Sequence, residues 1–222
     1  PAPVYGKARM DLSKQLLDDY DIKMNWETYG EYLNFMGQEG ISINYASFVG
    51  HGSIREVVMG YKREKPTFEE LKMMKKVLEL ALEQGAFGIS TGLVYPPGSY
   101  ADTEEIISIA KTAAKNDGIY VTHIRDEADA IVEAVNEALL VGQEADIPVH
   151  ISHHKAIGKG NWGKVQDTLG LMEDARKLGL DTTCDIYPYT ATSTNLSSII
   201  PDKFMTGDIT DLIVALKNPN TR

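Results

Sequence analysis

The feature that most constrains the fold is a pattern repeated along the chain: a short run rich in β-branched residues, then a longer stretch with apolar residues at helical spacing. Residues 41–49, 85–91, 119–123, 148–152 and 181–186 read as strands, and 66–84, 102–116, 127–144 and 163–178 as the helices between them. In the first of these helices Phe68, Leu71, Met74, Leu78, Ala81 and Leu82 fall on one face, and Thr67 caps its start ahead of Glu70. Strands separated by whole helices must be joined by crossovers and therefore run parallel. Such units build either a doubly wound sheet or an arc of a (β/α)8 barrel. No Gly-x-Gly-x-x-Gly turn follows the first strand, which leaves a dinucleotide fold without support. Polar residues at the strand ends favour the barrel, whose C-terminal mouth collects them. A complete barrel needs about 250 residues. The expectation for these 222 is an α/β fold, a partial (β/α)8 TIM-like barrel.

Residues 1–190 are expected to form the central part of that barrel, and residues 191–222 the start of an inserted lid-like segment with a short helix at 208–216. The chain begins Pro1-Ala-Pro without a methionine and stops just after a helical pattern, as a piece cut from a longer polypeptide would. A net charge of -10 excludes nucleic acid as an expected partner, because phosphate binding needs a basic footprint. No apolar run is long enough to span a bilayer. The single cysteine, Cys184, rules out an internal disulfide and suits a reducing compartment, so a cytoplasmic location is expected. Cys184 sits in an apolar run and reads as a buried structural thiol.

Chemistry concentrates at two strand ends. Tyr120-Val-Thr-His-Ile-Arg-Asp-Glu127 and Val149-His-Ile-Ser-His-His-Lys155 each place histidine where an apolar run gives way to polar residues. His123 and His153 are about one strand-helix repeat apart, so adjacent strands can bring them together as the start of a metal site. A period of two puts Val149, Ile151, His153 and Lys155 on one face and His150, Ser152 and His154 on the other. A metal ligand beside a cation is the more useful pair, which selects His153. His150 and His154 are then expected between sheet and helices.

Lys155 suits an anionic substrate as a point charge. A carboxylated lysine bridging two metals is the weaker reading, since Lys155 leaves the same strand as His153. Tyr95, in Gly92-Leu-Val-Tyr-Pro-Pro-Gly98, and Tyr187, in Asp185-Ile-Tyr-Pro-Tyr189, are held near the mouth by prolines that restrict the chain. Their hydroxyls can meet a carboxylate or a carbonyl. Residues 156–164 carry glycines and lysines but do not match a phosphate loop. His51, just past the first strand, is expected to support the pocket and not to bind metal.

Five ordered blocks together resemble one family: Gly50-His-Gly-Ser-Ile-Arg55, Gly88-Ile-Ser-Thr-Gly-Leu-Val-Tyr-Pro-Pro-Gly98, Thr122-His-Ile-Arg-Asp-Glu127, Ile151-Ser-His-His-Lys155 with Asn161-Trp-Gly-Lys164, and Asp185-Ile-Tyr-Pro-Tyr189. They resemble the central part of the D-aminoacylases, or N-acyl-D-amino-acid deacylases, of the metal-dependent amidohydrolases. The resemblance implies a barrel of the metal-dependent hydrolase type, in which His123 and His153 bind one tight zinc. It also implies that Lys155, Tyr187 and Tyr95 face an N-acyl-D-amino acid. That family also carries a His-x-His pair on its first barrel strand, a metal-binding cysteine on a following strand and a late aspartate as general base. None has a counterpart here: Cys184 follows both histidines, and Asp185 belongs to the Tyr-Pro-Tyr block. The expectation is a fragment of a zinc-dependent hydrolase, inactive by itself, weak in metal and prone to self-association through open strand edges. The alternatives are an amidohydrolase acting on cyclic amides and a non-catalytic barrel scaffold.

Overall fold

The computed structural model describes residues 2–194, 200, 204 and 209–219. Helices α1 (Gly6–Tyr20) and α2 (Tyr29–Glu39) come first. Then follow β1 (Val49–Gly50), α3 (His51–Met59), α4 (Phe68–Glu83), β2 (Gly88–Gly92), α5 (Thr103–Ala114), β3 (Ile119–His123), α6 (Ile131–Ala145), β4 (Val149–Ile151), α7 (Lys164–Lys177), β5 (Thr182–Cys184) and α8 (Ile209–Lys217). The strands are parallel and lie in the order β1-β2-β3-β4-β5. Every crossover returns to the next strand without the reversal of order that marks a doubly wound sheet, so the α/β fold is an arc of a barrel.

The parallel register aligns Val121 with Ser90 on one side and His150 on the other, and His150 with Thr183. That row lies on the face a closed barrel turns inward. The opposite face carries Ile89, Tyr120, Val149 and Ile151, all at most 2% exposed, against Met74, Leu78, Ile106, Ile109, Val135 and Met172 of the helices. Burying a side chain of this size contributes roughly 1.5–3 kcal/mol, which makes this layer the main source of stability. Two glycines set its spacing. A Cβ on Gly88 would lie 2.1 Å from the Ile119 carbonyl oxygen, and one on Gly142 would lie 2.3 Å from Val149 Cγ2. Thr67 and Glu70 form a reciprocal capping box at the start of α4, as do Thr28 and Glu31 at α2, while Asp102 caps α5 through the Glu105 N–H.

Several expectations are corrected. Residues 41–48 are not strand: β1 pairs with β2 over Val49 and Gly50 alone, and Ile43 and Tyr45 are exposed. A β-rich run without a partner strand does not make a strand. The helix expected from 127 starts at Ile131, because Asp126 Oδ1 accepts the N–H groups of Ala128 and Ala130 and holds those residues in a turn. Helices α1 and α2 have no counterpart in the sequence reading. Ala2, Val4, Met24 and Trp26 form a separate small core with them. Cys184 is exposed, because β5 has a neighbour on one side only among the described residues; partial burial still pushes its thiol pKa up. Of the expected lid, residues 195–199, 201–203, 205–208 and 220–222 lie outside the described residues, and α8 occupies the place of the expected short helix. No described helix is long and apolar enough to cross a membrane.

Candidate metal and substrate site

At the C-terminal ends of β3 and β4 a cavity of about 660 Å³ is lined by Tyr95, His123, Glu127, His153, Lys155 and Tyr187, among others. His123 closes β3, where alternation from Val121 turns it inward. Its ring lies 4.5 Å from that of His153 and 5.3 Å from that of Tyr95, centroid to centroid. One ligand atom each from His123, Glu127 and His153 falls within 4.8 Å of the others. Burial holds the His123 pKa below the usual imidazole range, with the charges of His153 and Lys155 adding to the shift and Glu127 opposing it. A neutral imidazole is what a metal requires.

Glu127 is the residue the sequence reading missed. It is 9% exposed, its Oε1 lies 3.0 Å from His153 Nδ1, and Lys155 Nζ donates to the same oxygen at 2.5 Å. Lys155 Nζ is also 3.1 Å from His153 Nδ1 and 3.2 Å from the His153 carbonyl oxygen. One nitrogen cannot both donate to Glu127 and accept from Lys155. The ammonium already has the carboxylate and the carbonyl as acceptors, so we assign the proton to Nδ1, which leaves Nε2 as the lone-pair nitrogen of His153. The spacing His123-x-x-x-Glu127 was the available signal, since one turn beyond a strand end can fold a carboxylate back over the histidine.

The remaining groups are placed as follows. Tyr187 stacks obliquely 6.3 Å from the His153 ring, with Lys155 Nζ 5.3 Å from its own ring centre. Its hydroxyl is buried and has no hydrogen-bond partner among the described residues. The Tyr95 hydroxyl shares a 3.0 Å hydrogen bond with Thr194, and its backbone N–H donates to the Gly92 carbonyl. Arg125, also on the cavity wall, is bound to Glu137 and to the carbonyls of Ser99 and Ala101, which ties the loop after β2 to α6. Glu137 raises the Arg125 pKa further.

Strict alternation fails at β4. Val149 and Ile151 face the helices, so the argument that placed His153 with them would have buried it there. His153 instead has φ +41°, a left-handed turn that swings its ring to the open face. His150 is corrected too. It does not lie between sheet and helices but along the sheet, with Nδ1 2.8 Å from Thr183 Oγ1 and Nε2 2.9 Å from Asp185 Oδ2. His154 is buried against α7 and bonded to Thr168. His51 stands outside the cluster, fully buried and bonded to Glu105 of α5. The glycine- and lysine-bearing segment after Lys155 serves the loop before α6: Asn161 and Lys164 donate to Asp129.

No family model matches the chain. Among curated proteins it is 42% identical over 171 residues to a D-aminoacylase of Alcaligenes xylosoxydans xylosoxydans, covering 77% of this chain and 35% of that protein. It is 36% identical over 220 residues to an N-acyl-D-glutamate deacylase of the same organism, covering 99% of this chain and 43% of that protein. Among solved structures, a D-aminoacylase described as defining a novel subset of amidohydrolases matches with a TM-score of 0.72 and 41% identity, over 75% of this chain and 35% of that one. An N-acyl-D-glutamate deacylase from Bordetella bronchiseptica, complexed with zinc and a phosphonate mimic of the tetrahedral intermediate, matches with a TM-score of 0.77 and 34% identity, over 85% of this chain and 39% of that one. The chain thus spans less than half the length of these relatives.

Proposed function

We propose that this chain, which belongs to the D-aminoacylase family of the amidohydrolases, supplies part of the active site of a zinc-dependent hydrolase. Its substrates are N-acyl-D-amino acids, cleaved at the linear amide to a carboxylate and a free D-amino acid. The observation that carries this reading is the convergence of His123, Glu127 and His153 in a cavity whose wall holds an ammonium and a phenol without a hydrogen-bond partner among the described residues.

The donor set fits zinc: two imidazoles, the His123 ring biased to its neutral form by burial, with a carboxylate beside them. His123 and His153 would hold the ion tightly as a single site, and Glu127 would fix His153 in the tautomer that offers Nε2. When bound, zinc supplies Lewis acidity, polarising an amide carbonyl and acidifying water. Lys155, fixed by Glu127 and lying over Tyr187, presents its charge to the substrate carboxylate. The Tyr187 hydroxyl gains in substrate the partner it lacks among the described residues, since a buried unpaired donor is costly and an incoming oxygen relieves that cost. Tyr95 covers the His123 side of the same cavity.

Taken alone the chain is proposed to lack turnover, because its sequence holds neither a His-x-His pair nor a cysteine ahead of His123. A cytoplasmic site of action, self-association through the edges of β1 and β5, and a lid role for residues 191–222 are parts of the same proposal. The experiment is zinc content together with release of D-methionine from N-acetyl-D-methionine, measured on this chain and on a longer polypeptide that contains it. D-selective, zinc-dependent turnover in the longer protein alone is the expected result. Metal-free, inactive material in both would overturn it, and preference for a cyclic amide would move the reaction class.

A further inference from the structure

The turn after β4 is fastened by one residue of the neighbouring strand end. Asp185 donates its backbone N–H to the Ile151 carbonyl at 3.2 Å and accepts the His154 N–H on its own carbonyl at 2.9 Å. Its side chain reaches into the gap between those two contacts: Oδ1 accepts the backbone N–H of His153, and Oδ2 accepts from His150 Nε2 at 2.9 Å. His150 is itself oriented from the other side, with Nδ1 2.8 Å from the Thr183 hydroxyl.

That carboxylate meets the chain where its conformation departs from the strand. His153 has φ +41°, a region that L side chains seldom adopt and that asparagine, aspartate and glycine enter more readily than histidine. With continued alternation a residue two places after Ile151 would point with it toward the helices. The left-handed turn is therefore what brings the His153 ring to 4.5 Å from His123. It needs an outside hold, and the acceptor on the His153 N–H is the Asp185 carboxylate.

We propose that Asp185 is a positioning residue for His153: its carboxylate, oriented by His150, holds the turn in the left-handed conformation that delivers the His153 ring to His123 and Glu127. The assignment rests on the reading of His153 as a metal ligand. It also gives His150 a task that accounts for its place outside the cluster. Asp185 is no general base here, since both of its oxygens are committed to the turn and to His150.

The test uses Asp185→Ala, Asp185→Asn and Asp185→Glu, with three readouts. These are zinc affinity by chelator competition, amide hydrogen exchange at His153, and the NOE between the rings of His123 and His153. Asp185→Ala is expected to weaken zinc by about 10–100-fold, the range for groups that orient a ligand, to speed His153 exchange and to remove the ring NOE. Asp185→Asn keeps an oxygen for the His153 N–H and is expected to retain most of all three. Asp185→Glu keeps the charge but displaces it by a methylene and is expected to resemble Asp185→Ala. The Tyr120 amide, bonded to the Pro148 carbonyl, serves as the fold control. Unchanged zinc affinity with unchanged exchange and NOE in Asp185→Ala overturns the proposal, as do unchanged values of all three in Asp185→Glu should the alanine variant not fold. If neither the unsubstituted chain nor the longer polypeptide that contains it takes zinc, the reading of the site fails, while exchange and NOE still decide the positioning role.

Discussion

The molecule contains two clusters built from the same residue types, and they differ in their access to solvent. Near β1, Glu105 Oε1 accepts from His51 Nε2 at 2.8 Å and from Arg55 Nε at 3.2 Å, with the three side chains at most 3% exposed. Arg55 Nη1 and Nη2 donate to the carbonyls of Lys62 and Glu64, and the His51 ring lies close to Gly98. At the ends of β3 and β4, Glu127 likewise gathers a histidine and a cation, but His153 is 28% and Lys155 20% exposed at the side chain, on the wall of a cavity. The first cluster joins α3 to α5 and is shut off from solvent, with His51 Nδ1 left without a hydrogen-bond partner among the described residues. The second is open and keeps imidazole nitrogen, ammonium and phenol available. Composition does not separate them, since both hold a histidine, a glutamate and a base. Access does.

The sharpest way to break this comparison is to remove each carboxylate. Glu105→Ala leaves the Arg55 guanidinium buried without its counter-charge and is expected to cost about 3–5 kcal/mol. For a chain of this size that is a fall in melting temperature of roughly 10 °C. Glu127→Gln leaves Lys155 within reach of water, so its stability loss should stay under about 1 kcal/mol, while zinc affinity falls about tenfold through loss of the His153 partner. Thermal denaturation of both variants decides the matter. Equal losses would mean that the open cluster is structural after all.

The next effect in size concerns the histidines. His123→Ala and His153→Ala are each expected to lower zinc affinity beyond the roughly 100-fold limit for supporting groups, measured by chelator competition. His51→Ala should leave zinc affinity untouched while lowering stability. A zinc loss from His51→Ala equal to that of the other two would erase the distinction between the clusters.

This division was only partly legible in the sequence. Alternating strand and helix patterns locate β2 to β5 and α4 to α7 because their apolar faces must be buried in one layer, and the burial of Met74, Leu78 and Ile109 reflects that constraint. The strand expected at 41–49 shortens to Val49 and Gly50 because a β-rich composition carries no information about whether a partner strand lies alongside. Helices α1 and α2 were not read because their small core around Trp26 draws on residues scattered from Ala2 to Phe35. His123 was readable from its place at the end of a strand. His153 was chosen by an alternation that the chain does not follow, and the left-handed turn and the Asp185 contact that enforce it are tertiary facts. Glu127 carries no signal in the sequence beyond its spacing from His123, because its contacts arise only when Lys155 and His153 fold onto it.

The smallest effect, and the one that sharpens the contrast, is in pH dependence. Burial lowers the pKa of His123 and of His154, the first on the cavity and the second against α7. In the unfolded chain both take up protons near the ordinary imidazole value of about 6.5. In the folded chain they resist until lower pH. The unfolded state therefore binds more protons as pH falls from about 6.5 toward the depressed folded values, and stability declines over that window. Above it both histidines are neutral in either state and contribute no slope. Urea midpoints at pH 7 and pH 5 should show the loss, and His123→Ala should remove part of it. In zinc-free protein the His123 ring protons should titrate with a midpoint below 6.5 by NMR. A midpoint at or above that value would mean that Glu127, which opposes the shift, outweighs desolvation, and that the cavity is more polar and more fully hydrated than its lining implies.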